Sequence, residues 1–209
     1  MAIVKNGDLV RLEYTGKVAA SGEVFETTEE SVARAAGIFR PSDIYGPKLV
    51  LFGTGTVMQG VEEAILTSQE GKSADFAVPP EKGFGERVPG LVRMISEKEF
   101  AKQGIRPALG MVLTFDGVLG RVKSVTSGRV TIDFNHPLAG EQLAYSLKVL
   151  EVISGDEKKI AAILSSLSLT ADVSKKGESF AVSFKNAPAE KVEIAKRAIS
   201  AAVPGTVFA

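Results

Sequence analysis

Apolar and polar residues alternate along Asp8 to Ala19. Val10, Leu12 and Tyr14 fall between polar neighbours, which predicts a strand with one buried face. Ser21-Gly22 marks a turn, and Val24-Phe25 opens the returning strand. Glu29 to Gly37 is polar and alanine-rich and reads as a short helix ended by Gly37. Pro47 opens an apolar run, Leu49-Val50-Leu51-Phe52, closed by Gly53. After Gly60 the period lengthens: Val61, Ala64 and Ile65 share one face while Glu62 and Glu63 share another. That predicts an amphipathic helix of about three turns or fewer, ending near Gly71. Ala74 to Val78 alternates again as a strand, stopped by Pro79-Pro80.

The texture changes between Val88 and Pro137. Ser96 to Lys102 predicts a single helical turn, with Ser96 as N-cap and Glu99 placed for a capping box. Three strand-like runs follow at Met111–Phe115, Val118–Val125 and Val130–Phe134, with Asp116-Gly117 and Ser127-Gly128 as hairpin turns. Leu143 to Val152 then alternates with Leu143, Tyr145, Leu147 and Val149 on one face, like the earliest strands. Residues 88–137 therefore read as an excursion from one sheet domain made of residues 1–87 and 138–153. Ser154-Gly155-Asp156 reads as a linker. Beyond it the pattern predicts a helix (Glu157–Leu167), strands (Leu169–Ser174 and Ser179–Phe184) joined at Lys175-Lys176-Gly177, a helix (Ala189–Ala202) and a terminal strand (Thr206–Phe208). The class is α+β. The module at 154–209 has about 55 residues, near the lower size at which a domain folds alone, so a neighbour or a homodimer through this module is an option for completing its burial.

Composition narrows the chemistry. The 209 residues are 44% hydrophobic and 24% charged, an ordinary globular balance. Lys+Arg and Asp+Glu are both 25, so no global field draws the chain to nucleic acid or anionic lipid. Cysteine is absent, which removes disulfides, thiolate nucleophiles and thiolate metal sites. His136 is the single histidine, so a multi-histidine metal site is excluded and little remains for imidazole acid–base work. No metal and no cofactor is expected. No uncharged stretch approaches the roughly 18 residues of a membrane span, and Met1 to Asp8 lacks a signal-peptide core; a cytoplasmic setting is the expectation.

Familiar motifs fail on inspection. Gly53-Thr54-Gly55 suggests a dinucleotide loop, but Met58 stands where the third glycine belongs. Gly55 to Gly60 has the glycine spacing of a phosphate loop, but Val61 stands where its lysine is required. Glu29-Glu30 and Glu62-Glu63 read as solvated helix faces. His136 precedes Pro137 and no G-x-S-x-G elbow accompanies it, so it reads as a turn histidine.

Several short motifs instead agree with one another. Tyr14-Thr15-Gly16, Gly22-x-x-Phe25-Glu26, Val57-Met58-x-Gly60-Val61-Glu62, Gly71-Lys72 and Gly83-Phe84-Gly85 occur in the order and approximate spacing of the FKBP-type peptidyl-prolyl isomerases, which the chain resembles. Asp133-x-Asn135-His136-Pro137-Leu138-Ala139-Gly140-x-x-Leu143-x-Tyr145 is similar to the SlyD branch, in which a chaperone domain is inserted in the flap. The segment at Glu29–Gly46 and the module after residue 154 resemble the long archaeal members. The resemblance implies a half-open antiparallel sheet wrapped on a short helix, an inserted mostly-β domain at 88–137 and a small C-terminal α/β domain. It implies catalysis of X–Pro rotation in an apolar cleft lined by Tyr14, Phe25, Val57, Met58, Val61, Phe84 and Tyr145. In this reading Phe25, Val57, Met58, Val61 and Tyr145 form the proline pocket, the Met58 N–H holds the substrate carbonyl, and Tyr14 supplies a wall with a polar tip. Glu26 stands where the family usually has aspartate, and Phe84 where tyrosine is common. Taken singly, most of these positions read as ordinary core packing; taken as a set in family order, they favour the cleft.

The implied partners are proline-containing peptides and unfolded or partly folded proteins. Met94, Ile95, Phe100, Met111, Leu113 and Phe115 are the candidate substrate-binding residues of the insert, where flexible methionines and uncovered apolar surface suit promiscuous binding. The alternative for them is an ordinary module core. Two other functions stay open from residues alone. One is a holdase with little or no isomerase activity. The other is a small-barrel nucleic-acid binder, against which the charge excess is slight: seven Lys+Arg to four Asp+Glu over 88–137, and eight to six after residue 153.

Overall fold

The computed structural model describes residues 4–177 and 179–208; Met1–Ile3, Glu178 and Ala209 lie outside the described residues. The chain divides into two compact units, Met1–Val78 with Gln142–Ala209, and Pro79–Glu141.

The first unit is built on an antiparallel sheet in the order β2-β1-β9-β4, comprising β1 (Leu9–Val18), β2 (Val24–Thr27), β4 (Ser73–Val78) and β9 (Leu143–Ile153). A fifth strand, β3 (Lys48–Leu51), also pairs with β1. It takes the Leu9–Leu12 half, while β2 takes the Thr15–Lys17 half. Between β2 and β3 the chain makes a detour that carries the short helix α1 (Glu30–Ala35). The helix predicted from Gly60 onward is α2 (Gln59–Thr67), with Val61 and Ile65 buried. A Cβ on Gly60 would lie 2.5 Å from a Val78 methyl, so only glycine lets this turn of helix sit on β4. The alternation in β1 and β9 does what the pattern requires: Val10, Leu12, Leu143, Tyr145, Leu147 and Val149 are all buried.

Residues after the sheet follow the predicted order. Helix α4 (Asp156–Ser166) leads to β10 (Ala171–Lys176), β11 (Ser179–Phe184), helix α5 (Ala189–Ala202) and β12 (Val207–Phe208). Strands β10 and β11 are antiparallel, and β12 adds parallel to β11. These elements share one hydrophobic cluster with the main sheet: Leu9 and Ile153 pack with Ile160, Ile163, Leu164 and Ile199, and Leu49 and Leu51 of β3 pack against that cluster.

The second unit is a four-stranded antiparallel sheet in the order β5-β8-β7-β6, comprising β5 (Val92–Ser96), β6 (Val112–Phe115), β7 (Val118–Thr126) and β8 (Arg129–Asp133). Its helix α3 (Glu97–Lys102) buries Phe100 against Val122, Val130 and Ile132. The sequence pattern misses β5, an edge strand with mostly exposed residues and no buried-face alternation to betray it. Ser96 is the N-cap residue as predicted, but no side chain caps the helix there; Glu99 pairs with Lys102 at 2.8 Å instead. At the base of the unit its two ends run side by side. Gly140 N–H donates to the Gly85 carbonyl at 2.8 Å, Val88 N–H to Asn135 Oδ1 at 2.9 Å, and Arg87 pairs with Asp133. No described helix is long and apolar enough to cross a membrane.

Candidate active site

The register of the main sheet assembles the site. Gly16 pairs with Glu26 on one side and Tyr145 on the other, and Tyr145 pairs in turn with Phe76. Residues directly opposite one another share a face, so Glu26, Gly16, Tyr145 and Phe76 form one row across β2, β1, β9 and β4. Phe76 stacks on Tyr145, with centroids 5.7 Å apart and planes at 9°. The bare Gly16 lets the Tyr145 side chain cross β1, where its hydroxyl donates to Glu26 Oε1. A Cβ on Gly16 would stand 2.8 Å from the Phe25 ring and 2.9 Å from the Tyr145 ring.

Phe25 reaches this position through a bulge. The register shifts between Gly16, which faces Glu26, and Lys17, which faces Val24, and Phe25 lies at that shift. Its ring meets Tyr145 edge-on, with centroids 5.9 Å apart at 83°, a favoured aromatic geometry. Tyr14, two residues before Gly16 on the same face, tilts toward Tyr145 at 6.2 Å.

The opposite wall comes from the loop entering α2. Met58 is the N-cap residue, its carbonyl accepting from the N–H groups of Val61 and Glu62. Its own N–H has no acceptor among the described residues. Glu62 Oε1 accepts from Gly55 N–H at 3.1 Å and holds the loop to the helix, a structural role that its reading as a solvated face did not include. Met58 Sδ lies 3.8 Å from the Tyr145 hydroxyl. Together Tyr14, Glu26, Val57, Met58, Val61 and Tyr145 line a cleft of about 370 Å³.

Two ionisable groups are perturbed here. Burial, then the hydrogen bond to Glu26 and that residue's charge, push the Tyr145 hydroxyl well above its ordinary value of 10.0. Lys48 Nζ donates to the Tyr14 hydroxyl at 3.0 Å. Burial acts to lower the Lys48 pKa, but this bond and the charges of Glu26 and Asp43 outweigh it, leaving it raised. Among the described residues no group of three or more His, Asp or Glu side chains could hold a metal ion.

The FKBP-type peptidyl-prolyl cis-trans isomerase family matches residues 2–115, more than half of the chain, and the "FKBP26, IF domain" family matches residues 93–138. A short-type peptidyl-prolyl cis-trans isomerase of Methanocaldococcus jannaschii is 35% identical over 150 residues, covering 72% of this chain and 94% of that protein. The chain belongs to the FKBP-type peptidyl-prolyl cis-trans isomerases. An FKBP-type 16 kDa isomerase of Escherichia coli is 32% identical over 111 residues, 51% of this chain and 74% of the relative. An isomerase named SlyD from Treponema pallidum is 26% identical over 167 residues, 77% and 85% respectively, in keeping with a SlyD-like member of the family.

Of the residues expected to form the FKBP cleft, the structure brings together Tyr14, Glu26, Val57, Met58, Val61 and Tyr145, with Phe25 edge-on to Tyr145. Phe84 belongs to the second unit, where it stacks on His136 with centroids 4.3 Å apart at 11°. His136 also accepts from Leu138 N–H through Nδ1 at 3.2 Å, as a turn histidine does. Three contributors escaped the sequence reading: Phe76, Lys48 and the Glu62 tether. Phe76 sits on a recognisable strand, but only its pairing with Tyr145 shows that it supports the pocket floor.

Two expectations arise from this geometry. Gly16→Ala places a methyl group inside the contact distance of two rings, and overpacking of this kind costs about 1–3 kcal/mol. We expect a lower melting temperature and roughly tenfold slower peptide isomerisation, one decade per ~1.4 kcal/mol; wild-type rates in the variant would contradict the ring-over-glycine arrangement. The second concerns pH. Because folding raises the Tyr145 pKa, the folded chain keeps a proton that the unfolded chain loses near pH 10. The associated stability is complete below about pH 10 and declines as pH rises above it. In a spectrophotometric titration, wild type and Tyr145→Phe should gain equal phenolate absorbance until alkaline unfolding begins. An extra phenolate in folded wild type would count against a buried, Glu26-bound hydroxyl.

Proposed function

We propose that this isomerase accelerates proline-limited folding by holding the X–Pro bond in the cleft between Tyr145 and the Met58 loop, while the unit at Pro79–Glu141 retains unfolded chains. The observation that carries the first part is the aromatic-floored cleft, with a backbone donor at Met58 and no reactive side chain needed.

Rotation about X–Pro breaks no covalent bond. Its barrier, about 18–20 kcal/mol, is the resonance of the planar amide, and exchange takes tens to hundreds of seconds without a catalyst. The twisted transition state has lost that resonance, and its carbonyl is less polar than in the planar amide. A site with little water therefore favours the twisted form over the planar one. A thousandfold acceleration requires only about 4 kcal/mol. In the proposed arrangement the proline ring rests on Tyr145 against Val57 and Val61, and Met58 N–H receives the substrate carbonyl. The Tyr145 hydroxyl is engaged by Glu26, so the glutamate orients the floor rather than handling a proton.

For the second unit, exposure supports a binding surface made by some of the expected residues and by others beside them. Phe100 is 4% exposed and belongs to the unit's core, against which Ile95, Leu113 and Phe115 also pack. Met94 and Met111 are exposed, as are Leu109 and Leu119, at 77% and 64%. Apolar surface left uncovered on a small β-unit suits transient capture of unfolded segments.

The test is acceleration of a proline-limited refolding reaction and of cis-to-trans exchange in a short proline peptide. We expect both rates to rise in proportion to protein concentration. Suppressed aggregation without faster peptide exchange would replace this reading with a holdase.

A further inference from the structure

A second cavity of about 520 Å³ opens beside the cleft, within the same compact unit. One wall is β3 with the loop after it, presenting Leu49 and Leu51. The other is formed by α4 and α5, with Leu167, Ile194 and Ala198. Tyr14, Thr56 and Val57 line both this cavity and the proline cleft, so the two spaces meet at those three side chains.

The walls are structurally anchored. Leu49 and Leu51 pack against the cluster that joins the main sheet to α4 and α5, so the groove is bounded by elements sharing one core. Helix α5 is apolar on two adjoining stripes. Ala195, Ile199 and Ala202 are buried in that core, whereas Ile194, Ala198 and Ala201 face the cavity, and Ile194 stays 49% exposed. The volume falls in the range of sites that take ligands of several side chains.

We infer that this groove is a subsite for the same polypeptide substrate, receiving an apolar side chain a few residues away from the proline held in the cleft. The inference rests on the isomerase reading above. Continuity identifies the occupant. Both spaces have Tyr14, Thr56 and Val57 in their linings, so a chain extended at about 3.3–3.6 Å per residue that leaves the cleft past Val57 comes to the groove. The C-terminal module therefore selects clients: prolines flanked by bulky apolar residues, typical of buried segments in unfolded proteins, are preferred.

The test compares two fluorescein-labelled decapeptides with a central Ala-Pro, one carrying leucines on both sides and the other serines at the same positions. Binding is read by anisotropy, and exchange at the prolyl bond by NMR. Wild type should prefer the leucine peptide by about tenfold, within the range of discrimination of an apolar pocket. Ile194→Glu with Ala201→Glu, both exposed on the outer stripe of α5, should reduce that preference below about twofold, with an unchanged circular dichroism spectrum. Equal affinity of wild type for both peptides overturns the subsite, and so does a preference that survives in the variant, since that assigns it to the exposed insert surface. A fall in molecular mass in the variant assigns the groove to a second copy of the chain and also overturns it. Turnover of both peptides without discrimination sinks the subsite alone, whereas no turnover of either sinks the isomerase reading.

Discussion

Replacing Tyr145 by Ala is expected to abolish acceleration of proline-limited refolding, a loss of at least about a hundredfold at the ~1.4 kcal/mol per decade that governs rates. Tyr145 is 2% exposed and holds three aromatic neighbours, Tyr14, Phe25 and Phe76, in their relative positions. Removing the ring takes away the floor and leaves the Glu26 carboxylate without its donor. Deleting a buried aromatic side chain also costs about 3–5 kcal/mol of stability, so the alanine variant has to be assayed where it remains folded. Tyr145→Phe separates the two effects. It keeps the stacking and removes only the bond to Glu26, a charge-assisted bond of about 1.5–3 kcal/mol. We expect it to fold and to retain measurable but reduced peptide exchange. Full activity in a folded Tyr145→Ala protein would overturn the proposed cleft.

Deleting residues 88–137 and joining Arg87 to Leu138 should leave exchange in short proline peptides within about twofold of wild type while slowing catalysed refolding of a whole protein by an order of magnitude or more. The physical basis is the proposed weak binding by exposed apolar surface: each leucine or methionine buried contributes about 1.5–3 kcal/mol, so losing Met94, Leu109, Met111 and Leu119 together would remove most of the affinity proposed for unfolded chains. The neighbouring ends of the unit, tied by the Gly140 to Gly85 hydrogen bond, allow the junction without a long bridge. Equal loss of both activities would argue against separate roles. An unchanged refolding rate would show that the insert has no share in capturing proteins.

Much of this is legible in the sequence alone. Alternation in residues 8–19 and 143–152 marks the two long strands whose buried faces carry Tyr14 and Tyr145. Strand β11 and helix α5 end where their patterns end, because a buried stripe or face writes its own period. Edge strand β5 did not show itself, since exposed positions carry no such period. Among the insert residues, hydrophobicity alone could not separate Phe100 from Met94. Both are apolar; one closes a core and the other projects into solvent.

The sequence by itself determined the chemistry that was available: no thiol, one histidine, and apolar faces in the order of the FKBP-type isomerases. It also determined which face of each strand is buried, because a two-residue period is local. Only the tertiary structure decided that Glu26 meets Tyr145 across 119 residues of chain, that the Phe25 ring folds over Gly16, and that α5 forms a wall beside the cleft. Those depend on strand register, on one bulge and on the shared core of sheet and helices. Such properties arise when distant segments pair, and no local pattern of residues encodes them.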